Sequence, residues 1–386
     1  VMMVLPQTNN FHYIGYKSFE KNLIGSNAIT AIQVDKDGCC WVGTDNDGIY
    51  KLSVNQRQSQ HYAPGKEQGA SPSTISKLFE DSNHKLWFGS YNQGMGWINK
   101  STGACSYINV FPNHTGQALS VFDIIEDNQK RLWIATLGKG LLCYDLKRNC
   151  PNSTIQMPQN LNQWINCLLI TSQDSLYAGT YRGAYSINIA QDSLVAKQLF
   201  NNSIVYSICQ SADGTIWFGT SEGLISRQAQ TGRIKTYTRE NGLCGNLIYS
   251  IQNDDDGRLW LSTDRGLSCM TPPTEEFISY YASDGIQGNE FCRNASFRDS
   301  KGSLWFGGTE GVTYFTPPNI NTSSKQWDIR LCNFYVYNHP VHRGIKSGKY
   351  EIMTNAVFQS KEFHLNYNDN TCLLYTSPSP RDGATS

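Results

Sequence analysis

Gly219-Thr220-Ser221-Glu222-Gly223 fits the G-x-S-x-G pattern that seats a nucleophilic serine on a strand-to-helix elbow. Asp254-Asp255-Asp256-Gly257 and Asp45-Asn46-Asp47-Gly48 carry the spaced acids of a calcium loop. A calcium loop of this kind also needs a glutamate at its twelfth position, and neither stretch has one. The 7 histidines are scattered without metal-ligand spacing; His61, His84 and His114 read as surface or turn residues. No set of converging acid–base residues is found, so the chain is expected not to be an enzyme and to need no cofactor or metal. The three motifs recur in phase with a repeat, and in that phase they are turns.

The repeat is a short phrase present seven times, for example CWVGTDNDGIY, LWFGSYNQGMGW, IWFGTSEGL and LWFGGTEGV. Its anchors are Trp41, Trp87, Trp133, Tyr177, Trp217, Trp260 and Trp305. Tyr177 to Trp217 is the shortest interval, 40 residues, and Trp41 to Trp87, 46, is among the longest. A period in the low forties, four strand-like runs per period and no helix-length apolar stripe predict a β-propeller. The fold class is all-β: a seven-bladed β-propeller of four-stranded blades, then a truncated β-sandwich. In the first repeat the strands are Ile29–Asp35, Cys40–Thr44, Ile49–Leu52 and a run ending at Tyr62, with Asp37-Gly38 as a turn. One large flat ring per blade can fill the wedge between neighbouring sheets. Fourth strands are expected near Tyr62, Tyr107, Ile155, Phe200, Tyr237 and Tyr281. None follows the seventh repeat, where GVTYFTPPNI runs into prolines. Phe11-His12-Tyr13 is therefore expected to complete the last blade and cover its open edge.

After Pro317-Pro318, Ile329–Val341 and Glu362–Tyr367 alternate like sandwich strands. The expected division is 1–318 propeller, 325–371 the start of a second β domain, and 372–386 a translated sequencing adapter, because CLLYTSPSPRD resembles one. The beginning of the chain reads as an internal cut in a longer protein. Lys plus Arg and Asp plus Glu are both 32, a balance that argues against a nucleic-acid partner. No apolar run is long enough for a membrane helix, so membrane attachment would come from other parts of a longer chain. Of the 12 cysteines most read as apolar filler, and Cys143 and Cys150 flank a turn where they could pair in an oxidising compartment.

A ligand site must then come from loop geometry. In a propeller, the loops between second and third strands converge on one face with those leading into inner strands. The first set holds Asp45, Asn46, Tyr91, Asn92, Gln93, Lys139, Tyr181, Arg182, Glu222, Asp264, Arg265 and Glu310; the second holds Gln163, Trp164, Asn246, Gln287 and Asn289. Rings that stack on pyranose faces, beside amides and charged forks, suit a sugar. The candidate ligand-binding residues are Tyr91, Trp164, Tyr181, Arg182, Arg265 and Glu310.

IYSIQNDDDGRLWLSTDRGL and VYSICQSADGTIWFGTSEGL resemble the two-component regulator propeller repeat, and the likeness covers roughly residues 27–318. The seventh repeat, DGIQGNEFCRNASFRDSKGSLWFGGTEGVTYFTP, resembles the blade that precedes the Y_Y_Y sandwich domain in that family, and RLCNFYVYNHPV resembles that domain's first strand. The resemblance implies the periplasmic sensor region of a Bacteroidetes hybrid two-component histidine kinase. It implies an oligosaccharide ligand, a homodimer, a phosphorelay and kinase chemistry outside these residues. The alternatives are a protein-interaction propeller without a small ligand and a propeller polysaccharide lyase.

Overall fold

The computed structural model describes residues 11–17, 22–55, 57–110, 119–172, 174–320, 330–357, 360, 362–369 and 372–377. His114, Ile329 and the last nine residues of the adapter-like stretch lie outside them. Seven four-stranded antiparallel sheets form the blades. The first holds Ile29–Val34, Cys40–Thr44, Ile49–Leu52 and Ser59–Tyr62, as the alternation predicts. The inner strands are Ile29–Val34, Ile75–Glu80, Ser120–Glu126, Ile165–Ile170, Val205–Gln210, Ile248–Asn253 and Phe291–Arg298. Each lies beside the next, and the seventh lies beside the first, so the ring is closed.

Closure is completed by the N-terminal strand. His12–Ile14 pairs antiparallel with Gly311–Phe315, in the register His12↔Tyr314 and Ile14↔Val312. The seventh sheet therefore takes one strand from the start of the chain and three from its later part. Phe11 packs edge-on to Tyr280 and Phe315, with centroids 5.2 and 5.0 Å away.

The anchor rings do the wedging. Trp41, Trp87, Trp133 and Trp260 are fully buried, and Trp217 and Trp305 nearly so. Trp41 packs with Ile75, Leu78 and Phe88 of the next blade, and Trp305 with Ile29, Ile32 and Val42 of the first. Tyr177 is half-buried against the Val205–Phe218 cluster. The glycine of the W-x-G phrase lets blades approach. A Cβ on Gly89 would lie 2.7 Å from Val121, and one on Gly307 2.6 Å from Ile29.

The aspartate six residues before the anchor has a second role besides turn-making. Asp35, Asp81, Asp127, Asp254 and Asp299 each accept the indole N–H of their own blade's tryptophan, at 2.8–3.1 Å. The other carboxylate oxygen accepts backbone amides of the turn, as Asp81 does from Asn83 and Lys85 at 2.9 Å. In the fifth blade Ser211 takes this place, accepting from Trp217 at 2.9 Å and donating to Asp213 at 2.6 Å.

Two readings of the propeller need correction. The third blade's fourth strand is Cys150–Pro151 rather than near Ile155, because the hairpin turns early at Asn149, φ 52°. Ile155 instead joins the core cluster around Trp133. Cys143 and Cys150 are both free: the first is buried in its strand and the second exposed at the hairpin. Burial pushes the Cys143 thiol up to about 12.

The chain divides into units 1–322 and 323–386. In the second, Arg330–Val336 lies between His339–Pro340 and Cys372–Ser377, all antiparallel. Glu362–Tyr367, expected as a strand, is not one. Phe363 and Leu365 pack against the Phe334–Val341–Ile352–Met353 cluster without a ladder partner. Their alternation reflects packing rather than pairing. The described helices are three-residue 3-10 turns, and none is long and apolar enough to cross a membrane.

Candidate ligand-binding site

The second-to-third-strand loops come in two forms. Blades one and two use Asp45-Asn46-Asp47-Gly48 and Tyr91-Asn92-Gln93-Gly94, with Asn46 and Asn92 left-handed at φ 64° and 67°. Asparagine tolerates that region better than most side chains. From the fourth blade on the turn shortens to two residues, as in Tyr181-Arg182 and Asp264-Arg265. The preceding hydroxyl closes it, Thr180 and Thr263 each donating to a glycine carbonyl at 2.8 Å. Ser221 of the G-x-S-x-G match lies in such a hairpin, and its Oγ accepts from the Ile204 amide at 3.2 Å. There is no elbow.

The inner strands bear a feature the sequence reading missed. In six blades the register slips by one near the start of the inner strand, at Thr30, Ser76, Phe122, Asn166, Tyr206 and Tyr249. A bulge re-aims a side chain. Thr30 and Ser76 donate to the carbonyls of Ile75 and Val121 in the next blade, and Asn166 donates to Val205 O at 2.9 Å. Phe122, Tyr206 and Tyr249 place rings at the same level, with Tyr206 edge-on to Tyr249 at 5.8 Å.

The seventh blade widens its bulge. Phe291 faces Gly308 and Ser296 faces Phe306, so four residues on the inner strand oppose one on its partner. Asn294 is left-handed, φ 55°, and its amide reaches across the ring to donate to Asn166 O at 3.0 Å. Arg293 lays its guanidinium over the Tyr206 ring, 4.5 Å from the centroid. Burial pushes the Cys292 thiol up to about 12, which keeps it protonated and unreactive. Asn294→Val is expected to melt below Asn294→Gly. Both lose the cross-ring bond, but only valine is strained at that φ. Equal melting temperatures would show that the backbone there relaxes freely.

Above this bulge lies a cup of about 460 Å3, within the ~300–1,000 Å3 range of small-molecule sites. Its walls are Tyr91, Phe122, Tyr249 and Phe291, with Asp45 and Arg293 as its charged groups. Tyr91 stands edge-on to Phe122 at 6.4 Å. Asp45 accepts from Thr74 Oγ1 at 3.0 Å. Burial raises the Tyr249 phenol, and the charge of Asp264 adds to the effect. Below the bulge is a smaller polar cavity of about 110 Å3, where Lys77 pairs with Asp123 at 2.7 Å. Asn294 borders both spaces.

Of the residues named from sequence, Tyr91 lines the cup; it is 48% exposed. Trp164 and Tyr181 form a separate edge-on pair at 5.5 Å on the fourth blade, with Trp164 51% exposed. Arg182 is exposed beside them, its amide bound to Thr180 Oγ1 at 3.0 Å. Arg265 is exposed next to Asp264, 3.7 Å away. Glu310 is tied to the closing strand: its carboxylate pairs with Lys17 at 2.5 Å and its carbonyl accepts from Tyr13 at 2.8 Å. Asn246, Gln287 and Asn289 act as loop staples, accepting the amides of Arg239, Glu310 and Ala282.

Phe122, Tyr249, Arg293 and Asn294 lay outside the loop inventory. Two signals for them exist in the sequence. The residue after the first apolar position of each I-x-x-I phrase is the bulged one. Asn246 precedes Trp260 by 14 residues, whereas its counterpart Asn289 precedes Trp305 by 16, and the extra length feeds the widened bulge.

This ring of repeats can be set beside known proteins. Residues 23–46, 115–138, 198–222 and 242–265 match the two component regulator propeller family model. The matched family is a regulator propeller, not a catalytic one. A curated relative is histidine kinase P4 of Formosa agariphila, 25% identical over 94% of this chain and 27% of its own length. Among solved structures, the extracellular domain of a hybrid two component system from B. thetaiotaomicron superposes with TM-score 0.75 at 22% identity, over 87% of this chain and 46% of that one. A second such domain from B. thetaiotaomicron gives TM-score 0.62 at 19% identity, over 85% and 42%. This chain thus spans about a quarter of the curated relative and under half of the solved ones. The two superpositions show that this chain shares its fold with those solved domains.

Proposed function

We propose that this chain is the ligand-sensing part of a periplasmic two-component sensor, and that its ligand is an oligosaccharide held on the loop face of the propeller. The observation that carries the reading is the cup above the widened bulge, where Tyr91, Phe122 and Tyr249 surround a space of about 460 Å3, enough for a sugar ring. Aromatic faces suit the C–H faces of a pyranose, and Asp45 and Asn294 offer partners for hydroxyls. The regulator propeller matches and the histidine kinase relative support a signalling role. The sensor acts as a homodimer whose arrangement the ligand shifts, and the unit after residue 322 is the start of the Y_Y_Y domain that passes the change on. Moving such an equilibrium from 1:99 to 99:1 requires about 5.5 kcal/mol of preference for one state.

A thermal-shift screen of the chain against oligosaccharides of several backbone types tests the reading. One linkage class is expected to stabilise the protein increasingly with concentration, by about 2.7 kcal/mol at a hundredfold excess over Kd. Tyr249→Ala is expected to weaken that ligand more than tenfold, as loss of a central aromatic contact does. A folded protein that shifts with no saccharide would overturn the reading in favour of a protein-interaction propeller.

A further inference from the structure

We infer that the cup selects a saccharide ending in a uronic acid, and that Arg293 holds its carboxylate. The inference rests on the saccharide reading above and names the chemical class of ligand for that site.

Arg293 sits on the widened bulge of the seventh blade and lines the cup. Its guanidinium is pinned over Tyr206, and Tyr206 is buttressed edge-on by Tyr249. Among the described residues no carboxylate lies within ion-pair distance of it. The other arginines of the propeller core behave differently. Arg131 and Arg258 close on Asp127 and Asp254 at 2.6 and 2.7 Å. An arginine has five N–H donors in a planar fork that matches a carboxylate with two parallel bonds. Stacking on an aromatic face spends none of them and fixes the plane of the fork. Arg293 is thus held rigid, exposed to the cup and unspent.

The second charge in the cup is of opposite sign and in another place. Asp45 hangs from the first blade, whereas Arg293 leans on the fifth. One oxygen of Asp45 is already accepting from Thr74, and a carboxylate has further lone pairs for neighbouring hydroxyls. Between the two charges lie the aromatic walls. A hexuronic acid presents the matching sequence of groups: a carboxylate at one end of the ring, an apolar C–H face, and vicinal hydroxyls at the other end. A neutral hexose would leave the Arg293 fork facing a hydroxymethyl group, which offers one acceptor where two are sought. An α-amino acid end could also bridge the two charges, but it has no ring to fill the space between the aromatic walls.

Calorimetry on the full chain would test this, using disaccharides that end in glucuronic or galacturonic acid and the same disaccharides ending in glucose or galactose. The acidic member of a pair is expected to bind at least tenfold tighter than the neutral one. Arg293→Met is expected to erase that preference, so that the acidic and neutral members of a pair bind within about twofold of each other. Arg293→Lys should restore part of it. If neutral sugars bind as tightly as acidic ones and Tyr249→Ala abolishes both, acid recognition is overturned and the saccharide reading stands. If neither set binds, the saccharide reading itself falls. If short peptides bind in an Arg293-dependent way and sugars do not, the charge assignment holds for the wrong ligand class and the inference is overturned.

Discussion

A chain that begins at Lys17 is expected to melt roughly 8 °C below the full chain. The lost strand carries few hydrogen bonds, only three register pairs with Gly311–Phe315, but much of the seal. Ile14 is 6% exposed, and Phe11 packs edge-on to two rings. His12 stacks on Tyr314 at 4.9 Å, which in turn stacks on Trp305 at 4.4 Å. Burying an apolar side chain contributes about 1.5–3 kcal/mol, so two of them account for about 4 kcal/mol. At this domain size each kcal/mol moves the melting temperature by about 2 °C. The truncation also bares the edge Gly311–Phe315, whose open ladder invites pairing with another chain. Calorimetry and light scattering on the two chains measure both effects. Equal melting temperatures and equal monomer content would mean that the last blade is stable with three strands.

How much of this molecule could be read from sequence depends on whether a residue's role repeats. The blades could be read because each holds the same chemistry in the same phase: the ring that wedges, the aspartate before it, the glycine that admits the neighbour. Seven weak signals in register leave one architecture. The closing strand was legible by subtraction, since the seventh repeat lacked a partner and Phe11–Tyr13 had no other. The site departs from that pattern. Loop residues such as Tyr91 could be placed on the right face from hairpin phase alone. Phe122 and Tyr249 sit in strands, where an alternating pattern assigns side chains to one face or the other. A bulge breaks that alternation, and only its register shows it. Asn294 reaches Asn166, far away in sequence, because the seventh inner strand is locally too long for its partner. The second unit was misread at Glu362–Tyr367 for the converse reason: alternation there arises from packing, with no ladder behind it.

The aspartate–tryptophan pair yields the other large effect, and the fifth blade supplies its control. Asp81 is 3% exposed; one oxygen accepts from the Trp87 indole and the other from two turn amides. Asp81→Ala leaves a buried N–H without a partner, which costs about 1–3 kcal/mol, and loosens the turn besides. The expected total is about 3 kcal/mol. Asp81→Asn keeps an acceptor for the turn but aims an amide donor at the indole donor, so it should recover only part. The fifth blade solves the same problem with two residues. There Ser211 accepts from Trp217, and Asp213 takes the Ser211 hydroxyl and the Thr215 amide at 2.6 and 3.0 Å. The hydroxyl bond, and the Thr215 contacts after it, hold the Asp213 carboxyl below its usual range. Asn83 occupies in the second blade the place of Asp213 in the fifth. Asp81→Ser combined with Asn83→Asp therefore transplants the fifth-blade arrangement and is expected to melt within about 2 °C of the unmodified chain, a deficit of about 1 kcal/mol. Asp81→Ser alone should stay low, since its hydroxyl then has no acid to donate to. If the double variant melts as low as Asp81→Ala, the tryptophan is held by packing alone and its hydrogen bond adds nothing.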